Sequence, residues 1–380
     1  MDQIQFNPFS PEFRTNPYPY YEMLRANTPI FYWEAGNAWF LSSHEDCKNL
    51  LRDNRLGNRP GPGASMLFQN PPDHTRLRGL VQKAFTPRMI EQLRETTQVV
   101  TDRLIDQVEQ RGHMDLITEF ATQVPVTVIA EMMGVPPEDH IRFRDWSDAL
   151  IRSLDLMDDP GVSQQANEAD TAFRDYFQVL FDERRAAPTD DLLSALVMAE
   201  EAGDKLTEAE LHTNSRLLLI AGYETTVNLI GNGVFALLNH PEQMEKLKAH
   251  PELIGTAVEE MLRYDSPIQM VGRSVLEDVS YKGHEFADEQ HIGFLIGAAN
   301  HDPAEFSAPD QFDITRQHNP HFSFSHGIHY CLGAALARME GQIAVNTLLH
   351  RLPNLRQETE TLVYRDNYVF RGLEELVVSF

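Results

Sequence analysis

A ten-residue stretch near the C-terminal end, Phe324-Ser325-His326-Gly327-Ile328-His329-Tyr330-Cys331-Leu332-Gly333, restricts what this chain can build more than any other. It ends on one cysteine, and the residues that follow, Leu332 to about Leu352, carry apolar side chains at helical spacing. At the start of a helix a thiolate is favoured by the positive end of the macrodipole and by backbone N–H groups without intrahelical partners. Gly327 and Gly333 let the main chain pass close to something flat and large. His329, just before the cysteine, offers a donor to an anionic group on that object. A lone cysteine is ordinarily a small buried hydrophobe. Here the F-x-x-G-x-x-x-C-x-G spacing closes on a helix start, and a thiolate-ligated haem satisfies each part of the pattern.

Composition narrows the alternatives. The 380 residues contain no Gly/Ser linker, low-complexity tract or internal repeat, and 42% are hydrophobic, enough for a large core. Lys and Arg total 32 against 57 Asp and Glu, a formal charge of −25, which argues against nucleic-acid binding but leaves room for a local basic patch. The two cysteines are Cys47 and Cys331. Cys47 falls in a helix-like stretch and is read as structural, so no disulfide framework is indicated. Met1 to Phe6 has neither a basic nor an apolar leader region, and no apolar run approaches the ~20 residues of a membrane span. The expectation is a soluble, cytoplasmic protein.

Periodicity gives a mainly α chain with a minor sheet. Helical patterns cover 18–27, 43–54 (Ser43 as cap), 73–85, 88–110, 118–133, 137–155, 164–186, 190–202, 241–249 and 251–264. Thr207-Glu208-Ala209-Glu210 is a capping-box pattern opening an unusually long helix to Leu238. Ile30–Trp33 and Ala38–Leu41 around Glu34-Ala35-Gly36-Asn37 predict a hairpin. Strand signals cluster at 273–286 and 362–379, and 301–323 reads as an irregular meander.

Four motifs, in order, carry a resemblance over the whole chain: Pro71-Pro72-Asp73-His74-Thr75-Arg76-Leu77-Arg78, Ala221-Gly222-Tyr223-Glu224-Thr225-Thr226, Glu260-Met261-Leu262-Arg263 and the cysteine stretch. Together they resemble the cytochrome P-450 family in its soluble bacterial form. The resemblance implies one catalytic domain over 1–380, a triangular, mostly helical prism around one haem b, with Cys331 as axial ligand. His74, Arg78, Arg273 and His329 match positions that hold the haem propionates; Arg suits a carboxylate through its bidentate fork. Phe324 resembles the aromatic packed beside the sulfur. On the long helix, Ala221 and Gly222 are small within a bulky pattern. A central Gly costs about 1 kcal/mol against Ala and needs a reason, which a notch for a small ligand supplies. Beside it, Glu224 and Thr225 form an acid–alcohol pair able to deliver protons; read alone, they would be a satisfied Thr and an exposed Glu.

The resemblance makes Glu260 and Arg263 structural, holding the meander beneath the cysteine. One departure stands out: Gln311 occupies a position where the family usually has Arg or His, so either its amide bonds alone or Arg316 assists. By family position the substrate pocket draws on Met66, Leu67, Phe68, Leu218, Ile268, Met270, Val271 and Val369, an apolar lining. The implied activity is that of a monooxygenase hydroxylating or epoxidising an apolar small molecule with O2. Its two electrons come from a separate ferredoxin or flavodoxin with its reductase, since no such domain follows residue 380, and a monomer is expected. A peroxide-driven hydroxylase and a haem-based gas sensor are the alternatives, and neither needs Glu224-Thr225. Two further expectations concern surfaces. Arg76, Lys83, Arg88, Arg94 and Arg338 form either a partner-docking patch or a scatter of solvated charges. The Gly- and Pro-rich 57–68 stretch is either a substrate gate or a plain connection.

Overall fold

The computed structural model describes residues 7, 10–61, 63–153, 160–201 and 204–380. Met1–Phe6, Pro62 of the gate stretch, and the ends of the helical readings at 154–155 and 202 lie outside the described residues. Helix accounts for 57% and strand for 11%, which makes the fold mainly α. The principal helices are α1 Tyr18–Asn27, α2 His44–Leu50, α3 Asp73–Ala84, α4 Pro87–Val108, α5 Gln123–Met132, α6 His140–Arg152, α7 Pro160–Ala186, α8 Leu192–Met198, α9 Glu208–Asn239, α10 Pro241–Ala249, α11 Ile254–Tyr264 and α12 Ala334–Arg351.

Local chemistry explains where they start. Ser43 Oγ accepts from the Asp46 N–H, Thr86 Oγ1 from Met89 with Pro87 following, and Asp191 from Ser194. The Thr207–Glu210 capping box is complete in both directions. The long helix α9 therefore has a defined start and runs 32 residues, about 48 Å.

Some readings are corrected. The 118–133 helix is broken: a wide turn at Ile117–Ala121 sends the Thr122 N–H to the Ile117 carbonyl before α5 begins. The 137–155 and 251–264 helices each open with a tight 3-10 turn, at Pro137–Asp139 and Pro251–Leu253. The 362–379 stretch is mostly not strand. Only Val377–Ser379 joins a ladder, beside two isolated bridges. Its backbone instead bonds to the segment that follows α11: the Arg371 N–H donates to the Pro267 carbonyl, and the Val369 carbonyl accepts from the Gln269 N–H.

The main sheet comprises β1 Ile30–Trp33, β2 Ala38–Leu41, β3 Leu56–Gly57, β4 Met270–Val275 and β5 His291–Leu295, in the order β1-β2-β5-β4-β3. The unanticipated β5 is its centre, parallel to β2 and antiparallel to β4. The register sets Arg273 opposite Ile292 and leaves it only 8% exposed.

The core wraps α9. Thr226 through Val234 are buried without a break, and Val227, Ile230 and Val234 share one cluster with Val100, Val258 and Leu348 from α4, α11 and α12. Buried asparagines on α9 hold neighbouring main chain. Asn214 Oδ1 accepts from the Met66 N–H at 3.0 Å, and Asn232 Nδ2 donates to the Asp265 and Arg371 carbonyls at 3.2 and 2.9 Å. Among the described residues no helix is long and apolar enough to cross a membrane.

Candidate active site

The cysteine stretch is held by its own backbone. Ser325 and Gly327 take positive φ angles of 60° and 72°, and a Cβ on Gly327 would lie 2.6 Å from the Leu51 carbonyl oxygen. Gly327 is therefore required by close packing onto the end of α2. Around Gly333 the space is open, and an added Cβ would meet only Cys331 Sγ, at 4.0 Å. The Cys331 N–H donates to the Phe324 carbonyl at 2.9 Å and closes the loop. Cys331 lies deep in the protein and is nonetheless accessible. Burial pushes its thiol up, against the opposing pull of the Gly333 N–H, Arg78 and Arg338. The Arg338 guanidinium sits 4.3 Å over the Phe324 ring and grips Glu259 through two bonds of 2.6 and 2.9 Å.

Helix α3 brings the cationic set to this loop. His74 and Arg78 share one face. The His74 and His329 rings lie 4.4 Å apart, and Arg78 Nη2 donates to the Tyr330 carbonyl at 2.6 Å. Among the described residues, Arg273 donates only to the neighbouring Gly272 carbonyl. Burial, then Arg273, His74 and Arg78, holds the His329 imidazole down to about 3; burial takes Arg273 down to about 10. His74 falls as well, from burial and then the two arginines, and its Nδ1 is buried without a hydrogen-bond partner. Among the described residues no carboxylate pairs with Arg78 or Arg273. Four basic groups that raise one another's energy, one with an orphaned ring nitrogen, fit a group carrying two carboxylates beside the sulfur. The residues present thus suit a haem.

On α9, Ala221 is exposed and Thr225 half-buried in the middle of a helix whose next turns are fully buried. Thr225 Oγ1 donates to the Ala221 carbonyl at 2.8 Å. Gly222 does not widen this opening. Its missing Cβ faces Ile129 of α5, which would sit 3.0 Å away, so Gly222 serves helix packing. Glu224 is not exposed. It is 2% accessible, with both carboxylate oxygens 2.7 Å from Arg365 Nη1 and Asn228 Nδ2 at 3.2 Å. Sequence reasoning missed Arg365. It lies in the stretch read as strand, far from α9 in sequence, and no local motif marks it.

Of the expected pocket residues, Met66 and Leu218 are buried in one core cluster with Leu77. Leu67 and Phe68 are 39% and 44% exposed, and Ile268, Met270, Val271 and Val369 are half-buried. Helical phase puts both Leu217 and Leu218 on the side of α9 that bears Ala221 and Thr225. Beneath the site, Glu260 and Arg263 form a pair with 0% exposure at 2.8 Å, and Arg263 also donates to the Asn300, Pro309 and Gln311 carbonyls. Arg316 completes this network, 3.1 Å from Glu260, while the Gln311 side chain is exposed and only its carbonyl takes part. Three residues of the expected basic patch are neutralised locally: Arg76 by Asp204 and Glu210, Arg94 by Glu91 and Arg338 by Glu259.

A mainly helical fold with a deep cysteine just before α12 and four basic groups gathered beside it defines a thiolate-ligated haem protein. The chain belongs to the cytochrome P-450 family. The family's model, described as Cytochrome P450, matches residues 34–363. Among curated relatives, the polyketide biosynthesis cytochrome P450 PksS of Bacillus subtilis is 40% identical, with 100% of this chain and 99% of the relative covered. The biotin biosynthesis cytochrome P450 of the same organism is 43% identical, covering 98% of each. The crystal structure of P450BioI in complex with hexadec-9Z-enoic acid ligated acyl carrier protein superposes with a TM-score of 0.92 at 43% identity, covering 97% of this chain and 99% of that one. The protein is accordingly a monooxygenase with a haem iron.

Proposed function

We propose that this protein is a single-domain, monomeric, cytoplasmic haem b monooxygenase that hydroxylates or epoxidises an apolar small molecule. Its electrons come from a ferredoxin or flavodoxin with its reductase. The observation that carries this reading is the sulfur of Cys331 lying deep in the fold beside four basic groups that have no carboxylate partner among the described residues. Cys331 would ligate the iron, and Phe324 and Gly333 would pack beside the sulfur. His74, Arg78, Arg273 and His329 would bind the two propionates. When bound, the haem supplies one-electron and O2 chemistry, and thiolate donation favours O–O cleavage.

The chain's own part is protonic and steric. Thr225 holds its hydroxyl proton on the Ala221 carbonyl and can turn it toward the pocket; Glu224 next to it replaces that proton. Ala221 keeps the helix surface low there. Met270, Val271, Ile268 and Val369, with Leu67 and Phe68 at the rim, exclude water and give the substrate few polar anchors. The named relatives act in polyketide and biotin biosynthesis, which is consistent with a chain-like apolar substrate.

The test is spectroscopic. Reduced and exposed to CO, the purified protein should show the strongly red-shifted Soret band of a thiolate complex. Cys331→His should lose it and Cys47→Ser, altering a buried thiol elsewhere, should keep it. The reverse pattern would overturn the ligand assignment. Turnover of an apolar substrate with a surrogate ferredoxin and reductase then separates the monooxygenase from a sensor, which forms no product.

A further inference from the structure

One cation beside the cysteine loop lies outside the set assigned to the propionates. Arg338 stands on the first turns of α12. Its Nε and Nη2 clamp the two oxygens of Glu259 on α11 at 2.6 and 2.9 Å, and Nη1 donates to the Tyr330 hydroxyl at 3.2 Å. Its plane covers the Phe324 ring at 4.3 Å. Tyr330 directly precedes Cys331, and the Phe324 carbonyl accepts the Cys331 N–H. Both contacts therefore belong to the loop that holds the sulfur. Glu259 is fixed in turn. Its Oε2 lies 3.1 Å from His321 Nε2, and His321 Nδ1 accepts the Ser323 N–H at 3.2 Å. A ring nitrogen that accepts carries no proton, so the proton sits on Nε2 and the imidazole is neutral. Against burial, the Arg338 and His321 hydrogen bonds hold the Glu259 carboxyl down to about 2. The network thus contains one fixed positive charge against the cysteine loop and one fixed negative charge that holds it there.

We propose that Arg338 sets the electron affinity of the site through its positive field on the Cys331 thiolate, and that Glu259 is a positioning residue that aims this cation and mutes it. This rests on the assignment of Cys331 as the axial ligand given above. A cation near a thiolate stabilises the sulfur's charge and weakens its donation to whatever it binds, so it favours the state with one more electron. A carboxylate at the same place has the opposite effect. The Arg338 and Glu259 side chains are 28% and 27% exposed. Solvent therefore screens part of each field, and the expected effect is moderate. The two charges are bound to each other, so the site feels their difference. Removing either one alone uncovers the other.

The opposite signs supply the test, read as the reduction potential of the haem-loaded protein in a spectroelectrochemical titration. Arg338→Met keeps an apolar stem over Phe324 and removes the cation. It should move the equilibrium toward the oxidised state by about threefold to tenfold, which is about 30–60 mV for one electron. Glu259→Gln leaves the cation uncovered and should move the equilibrium the other way by a similar factor. Arg338→Lys, which restores the charge, should recover most of the first shift. The infrared C–O stretch of the reduced CO complex should follow the same order, lower in Arg338→Met and higher in Glu259→Gln. If Arg338 were only a strut between α12 and the loop, losing either partner would loosen the same packing and both variants would shift alike. Anything other than opposite shifts therefore overturns the proposal. If Arg338→Met does not fold, Glu259→Gln decides alone, and a potential that fails to rise refutes the idea. The same samples check the parent reading. A wild type without the red-shifted CO band fails the ligand assignment itself. A wild type that shows the band, with potentials unmoved in the variants, sinks only the role of Arg338 and Glu259.

Discussion

Glu340 offers a test of how completely the core under α12 excludes water. Its side chain sits on α12 with 1% of its surface exposed, and Oε2 has no hydrogen-bond partner. Burial lifts its carboxyl from the usual 4.5 to about 8, because an acid without a cation beside it avoids the charged form. The folded value lies above the unfolded one. The folded state therefore retains a proton that the unfolded chain has already released once the pH passes 4.5. Stability is full below that point, falls as pH rises, and levels off above about 8. Carried through the linkage relation, these values give a loss of about 4 kcal/mol between about pH 5 and about pH 8.5. Glu340→Gln keeps the shape and cannot ionise. Its stability advantage over wild type should widen by that about 4 kcal/mol across the same interval. Urea unfolding of both proteins, followed by far-ultraviolet circular dichroism at a series of pH values, measures the gap. Parallel pH profiles for the two would refute the reasoning, and would mean that water or an unrecognised donor reaches the carboxyl.

Other perturbations probe the supports of the site. Gly372→Ala should destabilise by about 1–3 kcal/mol through its collision with Asn228, and adding Asn228→Ala should cost less than the sum of the single changes in a double-mutant cycle. Arg316→Met should cost about 2 kcal/mol and weaken haem retention, since it strips one cation from the fully buried Glu260. Gln311→Ala, which removes only an exposed side chain, should stay within about 0.5 kcal/mol, measured by the same unfolding midpoints. At the 57–68 stretch, the Asn70 side chain clasps the Asn58 main chain at both its N–H and its carbonyl, and the Met66 N–H donates to Asn214. Hydrogen exchange should find the Met66 amide slow and those of Gly61 and Gly63 fast, with Asn214→Ala releasing Met66; equal rates throughout would remove the clasp as the hinge of any gate.

The legible parts of this fold are those whose cause is local. A Ser or Thr cap with the helical periodicity behind it placed α2 and α9 within a few residues, periodicity alone placed α4, and the hairpin of β1 and β2 followed from its turn. Cys331 stood out through the spacing of its loop, and the Glu260–Arg263 pair through the family resemblance. What could not be read depends on contacts distant in sequence. Arg365 meets Glu224 only because the C-terminal segment lies against α9, and a run of apolar residues at 362–379 looks like strand until its hydrogen bonds are seen to go to Pro267 and Gln269. Gly222 and Gly327 were correctly singled out as needing a reason. The reasons, Ile129 and the Leu51 carbonyl, belong to other elements.

The asparagines of α9 have a consequence for how such a protein can change. Asn214 and Asn232 grip the N–H of Met66 and the carbonyls of Asp265 and Arg371, which are atoms that every amino acid except proline at the N–H position possesses. The long helix thus recognises its neighbours by their course and not by their side chains. Residues of the pocket rim, such as Leu67, Phe68 and Val369, are free to drift while the segments bearing them stay anchored. Selection for a new substrate can therefore act on the rim without reopening the question of whether the chain folds.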